Sequence, residues 1–230
     1  MTAGGATALR GGVALLERAM GYTLGGLLLV TPQAMANPTP CRGWDLRTLL
    51  SHLNDSLRTL HEAITVRYVG LDPAGAHGGQ PAAHGGQSGA HGDPGADYGD
   101  PVGAYGAPGA DYGDPVADPV GTLRNRGCRM IGAWASARAE GDVTIADRVL
   151  SPGIVAATGA VDVAVHGWDV ARALGVDRPI PPALAAELLE LCRLLVSDAD
   201  RPARFAAPVD VPPLAGPGDR LVAFLGRDPR

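Results

Sequence analysis

Six histidines occur among the 230 residues. Three of them, His77, His84 and His91, sit seven residues apart in a Gly-rich repeat. Setting these aside leaves His52, His61 and His166. His166 follows Asp162 by four residues in Asp162-Val-Ala-Val-His166-Gly-Trp-Asp169. On a helix that spacing puts a carboxylate and an imidazole on one face, where the pair can grip one cation. His52, in Leu49-Leu-Ser-His52-Leu53, lies on the apolar side of an amphipathic stretch and would add an imidazole from a facing helix. Three protein ligands are the usual complement of a catalytic zinc site, leaving positions for water or substrate. His61 falls nine residues after His52, about 180° around a helix, and points away.

Each of these residues also has an ordinary reading. A histidine on an apolar face is often a hydrogen-bonded core residue. Asp162 and His166 can form a helix-surface pair worth only a few tenths of a kcal/mol. Against the latter, Val161, Val163 and Val165 surround them, and unpaired charge in an apolar helix is costly. Spacing alone leaves both readings open. Asp169, three residues after His166, is a candidate to orient an imidazole, or else makes a local hydrogen bond near a helix end. Asp55, about one turn after His52, is a second candidate to support the ligands. Trp44 and Trp168 suit the core and a pocket wall. Arg172, one turn past Trp168, is either a contact for an anionic ligand or a solvated cation favoured by the helix dipole.

These residues need long helices to position them. Leu9, Val13, Leu16, Met20, Leu24 and Leu27 recur at three and four residues, which predicts a helix over 7–30. Asp45 is a plausible N-cap for a second, over 45–69, carrying Leu46, Leu49, Leu53, Leu57 and Leu60. Further helices are expected over 120–139 and 154–174, the latter stopped by Gly175. An extended piece over 143–150 should separate them, and shorter helices should follow over 182–196 and 218–225. The expected fold is all-α: a four-helix bundle (1–71 and 121–176) with one long crossover connection and a C-terminal helical extension (177–230) packed on it.

The crossover, 72–120, is set apart by composition. Its heptapeptide unit drifts from His77-Gly-Gly-Gln to Tyr98-Gly-Asp-Pro. The Gly and Pro content forbids a continuous helix, and the apolar surface is too small to offset ordering. A disordered linker is expected; its histidines are only a weak pointer to metal buffering.

Composition excludes several classes. The net charge is −5, and all 19 basic residues are arginine, a bias expected of a GC-rich genome rather than of a mechanism. Seven of the 24 acidic residues fall in the linker, so the remainder is near neutral, with no basic footprint for nucleic acid. Cys41, Cys128 and Cys192 are far apart and odd in number, which suits neither a disulfide framework nor a zinc finger. None neighbours a histidine in sequence, so none is read as a nucleophile. Apolar runs such as Leu27–Val30 fall far short of a membrane span, and no secretory leader is apparent. A cytoplasmic protein with no membrane partner is expected.

Two stretches carry a resemblance. Thr39-Pro-Cys41-Arg-Gly-Trp44-Asp45 with Leu50-Ser-His52-Leu53, and Val165-His166-Gly-Trp168-Asp169-Val-Ala-Arg172, resemble the DinB-like metal-binding proteins. The nearest branch is similar to the metal-binding domain of mycothiol-dependent maleylpyruvate isomerase. The resemblance implies that His52, Asp162 and His166 are ligands of a divalent metal, with Asp162 standing where the family usually has the longer Glu. Two histidines and a carboxylate suit Zn, Ni, Fe or Mn, of which zinc is expected. The resemblance further implies mycothiol as a cosubstrate, with Arg172 and Trp168 as candidate contacts for it. The implied activity is thiol S-transfer, or thiol-assisted isomerisation, on a small electrophile such as an epoxide, a Michael acceptor or a cis-alkene. Metal-assisted hydrolysis and a non-catalytic metal-binding regulatory or stress module are the alternatives. A structural zinc would be closed by four protein ligands, and only three are evident.

Overall fold

Helix α1 (Ala3–Leu27) buries Leu9, Val13, Leu16, Met20 and Leu27, the stripe that its apolar spacing requires. The computed structural model describes residues 3–70, 118–138, 140–201 and 204–230. Helix α2 (Leu46–Thr65) is capped by Asp45, whose carboxylate accepts from the Thr48 N–H at 2.8 Å. Its buried face is Leu46, Leu49, Leu50, Leu53, Leu57 and Leu60. The helix ends short of the expected position because the chain turns through Arg67 (φ 65°). It continues as strand β1 (Tyr68–Val69).

The linker expected over 72–120 lies outside the described residues except for its last three. Those three belong to helix α3 (Pro119–Ala135) and its cap: Asp118 accepts from the Gly121 N–H at 2.8 Å, and Pro119 opens the helix. Proline suits that position because the first helical N–H needs no partner. Helix α3 buries Leu123, Met130 and Trp134, and the Trp134 indole N–H donates to the Leu60 carbonyl at 3.1 Å.

The extended piece is a hairpin, strands β2 (Val143–Ile145) and β3 (Arg148–Leu150). Strand β2 pairs parallel with β1 and antiparallel with β3, which gives the end of α2 a backbone partner. Helix α4 (Pro152–Ala173) stops where Gly175 takes φ 68°. There the Val176 N–H reaches back to the Ala171 carbonyl at 3.0 Å, a glycine-terminated helix end.

The most extensive helix contact is α1 against α4, while α2 packs on both α3 and α4. Glycine permits the α1–α4 approach. A Cβ on Gly153 would lie 2.8 Å from the Ala8 carbonyl carbon, and one on Gly167 would lie 3.1 Å from the Thr23 Cα. At the second crossing the Thr23 hydroxyl donates to the Val163 carbonyl at 2.7 Å. Helix α4 is the one described helix long and apolar enough to cross a membrane, and 67% of that window is buried inside the protein.

Helices α5 (Pro182–Leu195) and α6 (Pro217–Phe224) pack together, and α5 also meets α4. Among the described residues the fold is therefore all-α apart from one small three-stranded sheet.

Candidate metal centre

His52 projects from α2, while Asp162 and His166 project from α4. The α2 leucine face and the almost wholly buried α4 bring these helices together. Asp162 Oδ1 lies 3.4 Å from His166 Nε2 and 4.0 Å from His52 Nε2. The three donor atoms all lie within 4.8 Å of one another. Ligands about 2.1 Å from one tetrahedral ion stand about 3.4 Å apart. The set therefore fits a divalent cation after small side-chain rotations. The short Asp162 comes within 3.4 and 4.0 Å of the two imidazoles without an extra methylene.

The His52 side chain is 37% accessible and that of Asp162 35%, so the cluster is open to solvent on one side. Trp44 forms a wall, its ring centroid 4.9 Å from that of His52 and 6.5 Å from that of His166.

Behind His166 is a second, closed arrangement. Asp169 is fully buried, and its Oδ2 lies 3.0 Å from His166 Nδ1. An ionised Asp169 fixes the proton on Nδ1 and turns Nε2 toward Asp162. Asp169 is itself held by Arg227, which donates from Nη2 to Oδ2 at 2.8 Å and from Nε to Oδ1 at 2.9 Å. The Cys41 thiol donates to Asp169 Oδ2 at 3.3 Å and stands 4.0 Å from His166 Nδ1.

Protonation follows from these contacts. Burial pushes the Asp169 carboxyl up, but the Arg227 charge and the hydrogen bonds to His166 and Arg227 hold it down at about 2. Burial likewise opposes ionisation of Asp162, yet the neighbouring imidazoles and a hydrogen bond from Ser56 bring it to about 2. For His166, burial favours the neutral ring. Asp162, with hydrogen bonds to Asp169 and Cys41, outweighs that and raises its pKa well above the usual histidine value. His52 goes the other way: burial, then the His166 charge, lower it, with Asp162 and Asp55 partly opposing. One imidazole therefore offers a free lone pair, and the other must lose its Nε2 proton to solvent before a cation can bind there.

Of the residues singled out by sequence, the structure gathers His52, Asp162, His166 and Asp169. It does not gather Asp55, which is exposed and pairs with Arg58 at 3.8 Å. Asp55 instead lines a cavity of about 510 Å³ with Arg47, Ser51, Asn54 and Pro119. Arg172 stacks over Trp168 at 5.5 Å and donates to the Arg230 carbonyl, so its contacts are with α4 and the chain end. Trp168 is buried. His61 stands near Arg126 and Arg129 instead.

Sequence reasoning missed Cys41 and Arg227. Cys41 lies inside the Thr39–Asp45 motif and could have been suspected there. Arg227 is 58 residues from Asp169, and no spacing rule connects them.

The fold and this geometry define a helical protein with an open, three-donor candidate metal site. The family follows from comparison: a model of the mycothiol maleylpyruvate isomerase N-terminal domain matches residues 16–171. The chain belongs to that family, a DinB-like domain. All three donors and Asp169 fall within the match, and Arg227 falls outside it. Two uncharacterized proteins, from two strains of Mycobacterium tuberculosis, are each 42% identical over 71 residues. That alignment covers 30% of this chain and 39% of each relative, so the chain spans about two fifths of the length of the curated relatives it matches. No solved structure matches.

Proposed function

We propose that the protein is a divalent-metal-dependent thiol S-transferase or thiol-assisted isomerase. It would take mycothiol as cosubstrate and a small electrophile as substrate. The family supports the thiol, and the three-donor geometry supports the metal. The observation that carries the proposal is the charge balance around His166. Asp169 already has Arg227 as its cation, whereas the Asp162 carboxylate faces two imidazoles, one of them kept neutral by burial.

A divalent cation bound there would supply the charge that keeps a thiol ionised near neutral pH. The residues of the chain do the rest. Asp169 holds the His166 Nδ1 proton so that Nε2 faces the site. His52 presents an unprotonated nitrogen. Trp44 shields one side, and the accessible edges of His52 and Asp162 leave room for a thiol and an electrophile. Zinc is the preferred metal, with Ni, Fe and Mn compatible with the same donors. A reducing cytoplasm suits a free-thiol cosubstrate.

Elemental analysis of wild type and His166→Ala, followed by a thiol-consumption assay across epoxides, Michael acceptors and cis-alkenes, tests this. One metal per chain lost in the variant, together with metal-dependent thiol consumption, is expected. Equal metal content in both proteins would remove the site. Full metal without thiol chemistry would leave a metal-binding module or a hydrolase.

A further inference from the structure

Cys41 Sγ, the His166 ring and the Asp169 carboxylate form a second three-donor cluster, its donor atoms all within 4.8 Å of one another. It lies on the opposite ring nitrogen from Asp162 and holds a cation of the protein's own. Arg227 Nη2 is 2.8 Å from Asp169 Oδ2 and 3.6 Å from Cys41 Sγ. We propose that this cluster is a second cation site whose resident cation is the Arg227 guanidinium, which bars a thiophilic divalent metal, so that such a metal binds there once the guanidinium is removed.

The driving force is the burial of Asp169, which is fully inaccessible. A buried carboxylate that loses one of its charged partners is destabilised, so a cation in the place of Arg227 is favoured. A proton would satisfy one carboxylate oxygen and leave the sulfur and imidazole unused. A metal engages all three donors, and a thiol, an imidazole and a carboxylate together favour Zn, Co or Cd over Mg or Ca. Cys41 binds as the thiolate and His166 through a deprotonated Nδ1, both protons passing to solvent as the metal bonds form.

Arg227 is anchored where it meets Asp169. It follows α6 after Gly226, which takes φ 83°, and its own N–H is tied to the Val222 carbonyl at 3.0 Å.

Both clusters need His166. A metal on the Nδ1 side takes the atom that Asp169 uses to orient Nε2, so the two sites compete for one imidazole. The guanidinium thereby keeps a metal on the open, Asp162 side and out of the closed, thiol-containing one. This inference goes beyond the proposed function and stands even if the open cluster proves to bind nothing.

Cobalt(II) distinguishes the sites, because only a bound thiolate gives an intense ligand-to-metal charge-transfer band in the near ultraviolet. Wild type and Arg227→Lys are expected to lack the band. Arg227→Ala is expected to show it and to bind Cd(II) at least tenfold more tightly than wild type. Adding Cys41→Ser should abolish both effects. Should Arg227→Ala fail to fold by circular dichroism, Arg227→Met, nearly as long but uncharged, gives the same readout. A folded Arg227→Ala or Arg227→Met protein without the band overturns the proposal, as does a band of equal intensity in wild type or Arg227→Lys. Failure of wild type to bind cobalt at all would count against the Asp162 cluster and leave this comparison intact.

Discussion

Arg227 and Asp169 form a two-pronged ion pair, with N···O distances of 2.8 and 2.9 Å, between the residue that follows α6 and Gly226 and the last two turns of the largely buried α4. The aspartate, not the arginine, touches His166. The C-terminal segment therefore acts on the candidate metal centre through one carboxylate.

Asp169→Asn should loosen that link. Its amide can still accept a hydrogen bond from His166, but it no longer balances Arg227. Metal affinity is expected to fall about 10–100-fold, as for other hydrogen-bond partners of metal-bound histidines. Removing one partner of a buried ion pair should also cost on the order of 3 kcal/mol of stability. Chelator competition and urea unfolding would measure the two effects. Unchanged values for both would mean the contact is incidental.

Acid should act through the same pair. The Asp169 carboxyl sits at about 2, against an ordinary value of 3.8. A depressed folded-state pKa gives stability that is present above the unfolded value and is lost as pH falls through the folded one. Unfolding midpoints should therefore drop between roughly pH 4 and pH 2, and Asp169→Asn should flatten that part of the curve. A wild-type curve that is level over the same range would contradict the assignment.

Metal uptake should depend on pH with the opposite emphasis. His166 has a raised pKa, and a cation must displace its Nε2 proton. Apparent affinity is expected to climb as pH rises through and above the ordinary histidine range, with protons released on binding. Calorimetry in buffers of different ionisation enthalpy would detect the release. Proton-independent binding would place the ion elsewhere.

Gly167→Ala probes the packing that sets the site. Its new Cβ would sit 3.1 Å from the Thr23 Cα and Cβ, forcing α1 away from α4. A loss of about 1–3 kcal/mol is expected, typical of overpacking, with weaker metal binding because α4 carries two of the donors. Wild-type stability in this variant would show that the helices separate freely.

Much of this was legible in the sequence. Apolar residues at three and four residues announced the long helices, since burial selects one face of a 3.6-residue repeat. Asp45 and Gly175 marked helix ends because their roles are local. Helix limits were less legible where a distant partner decides them: α2 stops for β1, which needs β2 more than 70 residues on. The Gly in His166-Gly167-Trp168 gave no sign of its purpose, which lies in Thr23 on another helix.

The sequence by itself determined that Asp162 and His166 share a helix face, because four residues is one turn. It also determined that His52 lies among leucines that must be buried. Only the tertiary structure decided that these two helices touch at that level, that Asp55 is exposed and pairs with Arg58, and that Cys41 and Arg227 gather behind His166. Helical periodicity is written in neighbouring residues. Charge compensation inside a core is decided by whichever side chain the completed fold delivers, however far away it begins in the chain.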